Sequence, residues 1–83
     1  MNPDGRAAKR WAFLERLYAA TDADVRMFVS AHEVAAALGI EHDDVGKILA
    51  YFEEKGYVKV DDYHSGVVRM TVQGVDAVEA GGG

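Results

Sequence analysis

Residues 30–58 read SAHEVAAALGIEHDDVGKILAYFEEKGYV, and the fold is decided inside this stretch. It opens with a helix start. Ser30 is placed to accept the backbone N–H of Glu33 while the Glu33 carboxylate returns to the Ser30 N–H, the reciprocal pattern of a capping box. Val34, Ala35 and Leu38 share one side of the short helix that follows, and Gly39 suits the left-handed position that stops it. After Ile40 a second helix starts near Glu41 or His42. Its apolar residues Val45, Ile48, Leu49 and Phe52 line one face at helical spacing. Gly56 ends it, and Tyr57 folds back on the last turn as the apolar contact of a Schellman cap.

Toward the C-terminus the period changes to two. Val58 and Val60 share one strand face, with Lys59 and Asp61 on the other. After the turn residues Asp62 to Gly66, Val68, Met70 and Val72 alternate with Val67, Arg69 and Thr71. Pairing Val58 with Met70 and Val60 with Val68 buries all four, and sets Lys59 opposite Arg69 on the outer face. Thr71 is a plausible N-cap for a last short helix through Val75 and Val78. Toward the N-terminus, Ala7, Trp11, Leu14, Leu17 and Tyr18 repeat at helical spacing from Arg6 to about Ala20, with Phe13 widening the stripe and Asp4 near the helix start. Thr21 to Asp24 reads as a break, and Val25 to Val29 as one short strand. The expected order is helix, strand, helix, helix, strand, strand, helix. The domain spans residues 6–80, between a flexible start at 1–5 and a flexible glycine tail at 81–83.

Composition narrows the class. At 83 residues a single domain buries roughly 60% of the surface its unfolded chain exposes, so the core is small. A hydrophobic fraction of 49% is too high for disorder. The absence of cysteine excludes disulfides, thiol catalysis and thiolate metal sites. The first ten residues are polar and basic rather than signal-like, and no apolar run approaches the ~20 residues of a membrane span. A soluble cytoplasmic protein with no membrane partner is expected. Fourteen Asp+Glu against nine Lys+Arg give a net charge of −5, which weighs mildly against nucleic acid as a partner.

The order and spacing of three passages, residues 30–40, 45–58 and 68–79, resemble the winged helix-turn-helix family. The first looks like helix two of such domains, ending in the glycine of the tight turn. The second is similar to helix three with the first wing strand, and the third to the strand, Thr71 and Gly74 that lead into a closing helix. Coverage runs from about Arg6 to Ala80. The resemblance implies an α+β fold with a three-helix core, a short strand, a β-hairpin wing and a short C-terminal helix. It also implies a DNA-binding transcription regulator, with helix three in the major groove of double-stranded DNA and the wing against the backbone.

Carried onto this sequence residue by residue, the DNA contacts are His42 and Lys47 on helix three, and Lys59, His64, Ser65 and Arg69 on the wing. Of the outward residues His42, Asp43, Gly46, Lys47 and Ala50, only Lys47 is a usual base reader. Glu41, Asp43 and Asp44 crowd the first turn, where carboxylates favour the helix dipole and stay solvated. Residues 41–55 sum to −3, whereas residues 1–20 sum to +2 and the wing, 57–71, to zero. Lys59 and Arg69 read as a solvated strand face somewhat more readily than as a phosphate clamp. The basic first helix reads as a reach toward a flanking phosphate, as a docking surface for an acidic subunit, or as a solvated face.

A second function fits the same fold, that of a protein-interaction or dimerisation module which does not bind DNA directly. Its candidate surface is Gly46 with Ala50, together with Trp11 and Phe13. Glycine inside a helix costs about 1 kcal/mol relative to alanine, so Gly46 marks either a close approach by a partner or a tolerated defect. Trp11 and Phe13, two apart, cannot both point into one narrow stripe, so one of them is a candidate for a homodimer or protein contact unless the stripe is wide. An enzyme is not expected. His32, His42 and His64 lack the spacing of a helical metal pair, Asp43 and Asp44 diverge, and neither Ser30 nor Ser65 has a nucleophile's context. No catalytic residue, metal or cofactor is assigned.

Overall fold

The computed structural model describes residues 3–81. Met1, Asn2, Gly82 and Gly83, part of the stretches expected to be flexible, lie outside the described residues. Seven elements follow one another: α1 (Pro3–Thr21), β1 (Val29–Ser30), α2 (Ala31–Ala37), α3 (His42–Glu54), β2 (Val58–Asp62), β3 (Val67–Met70) and α4 (Val72–Glu79). Four helices therefore surround a three-stranded antiparallel sheet of order β1-β3-β2, an α+β arrangement in the order read from the sequence. The first helix begins at Pro3, inside the segment expected to be flexible. A proline in the first turn forfeits no helical hydrogen bond, so the apolar stripe understates the helix by one turn.

The core takes one contribution from each layer. Phe13, Leu14 and Leu17 come from α1, Ala31, Val34 and Ala35 from α2, Val45, Ile48, Leu49 and Phe52 from α3, and Val58, Val68 and Met70 from the sheet. Phe13 is fully buried while Trp11 is half-buried at the margin. Phe13 is thus a core residue and not part of an interaction surface, because the stripe of α1 is wide enough to take it in. Leu38, expected on the buried side of α2, is 37% exposed. The helix ends at Ala37, and Leu38 occupies the cap with φ −104° and ψ 1°, so Ile40 fills the core position in its place.

Both glycine stops form full Schellman motifs. After α2, the Ile40 N–H donates to Ala35 O (2.9 Å) and the Gly39 N–H to Ala36 O (3.2 Å), with Gly39 at φ 70°. After α3, Tyr57 N–H donates to Phe52 O (2.8 Å) and Gly56 N–H to Glu53 O (2.9 Å), and the Tyr57 and Phe52 rings stack at 6.0 Å. Ser30 Oγ accepts the Glu33 N–H at 3.4 Å, the Ser30 half of the capping box.

The hairpin has the register its alternation dictates: Val58↔Met70, Lys59↔Arg69 and Val60↔Val68, with a bulge between Val60 and Asp62. Val72 leaves the strand pattern, because Thr71 Oγ accepts the Gly74 N–H (3.1 Å) and starts α4 there, leaving Val72 64% exposed. The strand expected over residues 25–29 shortens to Val29–Ser30. Asp24 explains the loss. Its carboxylate accepts the Arg26 backbone N–H (2.9 Å) and the Arg26 guanidinium, which turns the chain where extended backbone was anticipated.

Candidate nucleic-acid interface

Helix α3 buries one face and leaves three others to be described. Straight outward stand Asp43, Lys47, Ala50 and Glu54, all exposed. Toward α1 the flank carries Asp44, Lys47 and Tyr51. Toward the hairpin it carries Gly46 and Glu53.

The α1 flank holds most of the positive charge. Arg6, Lys9 and Arg10 from α1 and Lys47 from α3 line an open cleft of about 310 Å³, with Asp44 as its one carboxylate among the described residues. Lys9 reaches Asp44 at 3.8 Å across half-exposed side chains, a pair worth less than about 1 kcal/mol. Among the described residues no carboxylate pairs with Arg10 or Lys47. The Arg10 guanidinium lies over the Tyr51 ring, 4.1 Å from its centre. Beyond Arg10 and Tyr51 a second cleft of about 200 Å³ continues past Trp11, Lys55 and Tyr57. The Lys55 ammonium is 5.6 Å from the Tyr51 ring and 5.7 Å from that of Tyr57. These contacts hold both cations near aromatic rings along the seam.

The hairpin flank has the opposite character. Glu53 accepts the Val60 N–H (3.2 Å) and the Tyr63 hydroxyl (2.6 Å), tying the hairpin to α3. That hydrogen bond to a carboxylate, with some burial, pushes the Tyr63 pKa up to about 12. At the turn Asp62 accepts the His64 N–H (2.9 Å), and this bond and the Ser65 hydroxyl hold its carboxyl below the usual range. His64 and Ser65 are exposed at the tip, and Lys59 is exposed on the strand. Arg69 is half-buried, its guanidinium donating to Val25 O at 3.3 Å and lying 5.9 Å from the Phe28 ring. Arg69 and Lys59 are paired as expected, yet the arginine fastens the loop before β1.

The six residues assigned to DNA contact therefore divide. Lys47 joins the α1 cations, whereas Lys59, His64, Ser65 and Arg69 belong to the hairpin. His42 stacks flat on His32, centres 4.3 Å apart and planes within 5°, so one of its faces is covered. His32 Nδ1 is buried without a hydrogen-bond partner. Gly46 faces open space, with no atom within 4 Å of where a Cβ would stand, so nothing inside the chain requires glycine there. Sequence reasoning noticed the basic first helix but missed its meeting with Lys47, Tyr51 and Lys55. The available signal was the i, i+4, i+8 spacing of those three; the flank that α1 would cover was not readable from it.

Among the described residues no group of three or more His, Asp or Glu side chains is placed to hold a metal ion, and no helix is long and apolar enough to cross a membrane. No family model, curated protein or solved structure matches the chain.

Proposed function

We propose that the chain is a small winged helix-turn-helix regulator of the cytoplasm that binds double-stranded DNA, with α3 as the reading helix and the β2–β3 hairpin as the wing. Its work is binding rather than catalysis. The observation that carries this reading is the convergence of Arg6, Lys9, Arg10 and Lys47 around one cleft beside the outward face of α3. Four cations there offset the acidic first turn of α3 where a phosphate backbone would pass. Lys47 is the base-reading candidate, and Lys59, His64 and Ser65 add contacts from the wing. The test is a fluorescence-anisotropy titration of a mixed-sequence duplex across salt concentrations. Neutralising about three phosphates with the α1 cations gives a log–log salt slope near −2.7, and Lys9→Gln with Arg10→Gln lowers its magnitude by about 2. No binding at low salt and micromolar protein overturns the reading.

The second reading, a protein-interaction or dimerisation module, rests on the hairpin flank. Glu53, Asp61 and Asp62 lie exposed there, Asp43 and Glu54 stand on the adjoining outward face, and Gly46 and Ala50 leave the middle of α3 bare. Trp11, half-buried at the margin of α1, supplies a dimer contact. Sedimentation that finds a strict monomer at high concentration removes the dimer.

A further inference from the structure

The two clefts between α1 and α3 lie side by side along the seam and meet at Arg10 and Tyr51, which line both. One side is built by Lys47 and Tyr51 of α3 and by Lys55, the cap residue that follows it, at successive steps of four residues. At the helical rise that side extends over about 12 Å. The other side is built by Arg6, Arg10 and Trp11 of α1. Cation and ring alternate along the α3 wall, whereas the α1 wall runs from the cations Arg6 and Arg10 to the ring of Trp11, with Lys9 and its partner Asp44 also lining the first cleft.

This alternation selects a ligand. The cations of the first cleft suit phosphates, and the rings of the second suit flat apolar groups lying next to those phosphates. An unpaired nucleic-acid strand offers both, because its bases are free to stack on side chains and every base has a π-face. A duplex offers only its phosphates, since its base faces are already stacked on one another. A second strand would also pass over Asp43 and Glu54, exposed on the outward face next to Lys47. The Tyr51 ring holds the Arg10 guanidinium 4.1 Å from its centre, which positions a cation of the kind that binds phosphate at the junction of the two clefts.

We infer that the α1–α3 groove binds an unpaired stretch of nucleic-acid strand, with phosphates on Arg10, Lys47 and Lys55 and bases against Trp11 and Tyr57. The inference rests on the nucleic-acid part of the proposed function and is independent of duplex docking by α3.

The experiment titrates the full chain with a fluorescein-labelled oligodeoxythymidine of about 12 nucleotides, a blunt duplex of the same length and a poly-glutamate peptide. Trp11, the one tryptophan in the sequence, reports stacking through quenching of its emission. The single strand is expected to bind about ten-fold tighter than the duplex and to quench Trp11. Tyr51→Ala removes the ring under Arg10 and weakens single-strand binding by about two- to five-fold, the loss of one exposed cation–π support. Tyr51 is 39% exposed, so the variant keeps the core, which a thermal melt verifies. Lys55→Gln provides the second variant, reducing the magnitude of the single-strand salt slope by about 0.7. Duplex binding as tight as the single strand, with neither variant having an effect, overturns the groove while leaving the duplex reading in place. Single-strand binding without duplex binding supports the groove and removes the duplex reading. Preference for the glutamate peptide, or binding of none of the three, overturns both.

Discussion

Gly46 and Gly74 both sit inside helices, yet the structure gives them opposite roles. A Cβ at Gly74 would stand 2.0 Å from the Tyr57 carbonyl oxygen, which also accepts the Thr71 N–H at 3.1 Å. Backbone lies against backbone there, and neither side can give. Gly74→Ala is therefore expected to destabilise the protein by about 1–3 kcal/mol through overpacking. For a domain of this size each kcal/mol lowers Tm by roughly 4–8 °C. Gly46 faces open space, so Gly46→Ala should stabilise by about 0.5–1 kcal/mol and raise Tm accordingly. If Gly46 serves a close approach by DNA, the same variant loses affinity while gaining stability, and paired melting and anisotropy measurements separate the two effects. The sequence marked Gly46 as an anomaly because the cost of glycine in a helix is local. Gly74 looked ordinary, because its reason is a carbonyl seventeen residues away in the chain. The His32–His42 stack escaped notice on the same ground: it joins two helices across a turn, and no spacing rule within one helix contains it.

Elements were legible wherever a cap or a period defined them. The stripe of α3, both Schellman stops, the Thr71 cap and the hairpin register all follow from residues within a few positions of one another. The early start of α1 and the shortened β1 did not, since Pro3 carries no stripe and the Asp24–Arg26 bond overrides the strand preference of Val25 to Val29. How the hairpin is fastened to α3 was also hidden. The Tyr63 hydroxyl donates to Glu53, and the tyrosine pKa is raised to about 12, above its ordinary value near 10. Because the folded state favours the protonated phenol, this bond stabilises fully below pH ~10 and its contribution is lost as pH rises through about 12. Tyr63→Phe should cost about 0.5–1.5 kcal/mol at pH 8. The deficit relative to the parent protein should shrink steadily above pH ~10, as urea midpoints at a series of pH values would record. A deficit that stays constant with pH would mean that ring packing, and not the hydroxyl, holds the hairpin.

At the scale of the whole molecule, the net charge of −5 conceals a division. Cations gather on the α1 side of α3, while carboxylates occupy its outward face and the hairpin side. The sequence supplied the segment sums but not this geography, because a helix's charges acquire sides only when a neighbouring helix covers one of them. The division makes the acids of α3 informative in their own right. In the DNA reading Asp43 and Glu54 oppose the approach of the backbone without contacting it. A unit charge about 8 Å from a phosphate in water contributes about 0.5 kcal/mol, or roughly two-fold in affinity. Asp43→Asn combined with Glu54→Gln should therefore tighten duplex binding about four- to five-fold in low-salt anisotropy. The gain should fade toward physiological salt, where the screening length falls to about 8 Å. Both side chains are exposed, so their removal leaves the core untouched and the melting temperature nearly unchanged. In the protein-partner reading the same two carboxylates are contact residues. Their neutralisation then weakens capture of a basic partner and leaves DNA affinity where it was, so one double variant moves the two functions in opposite directions.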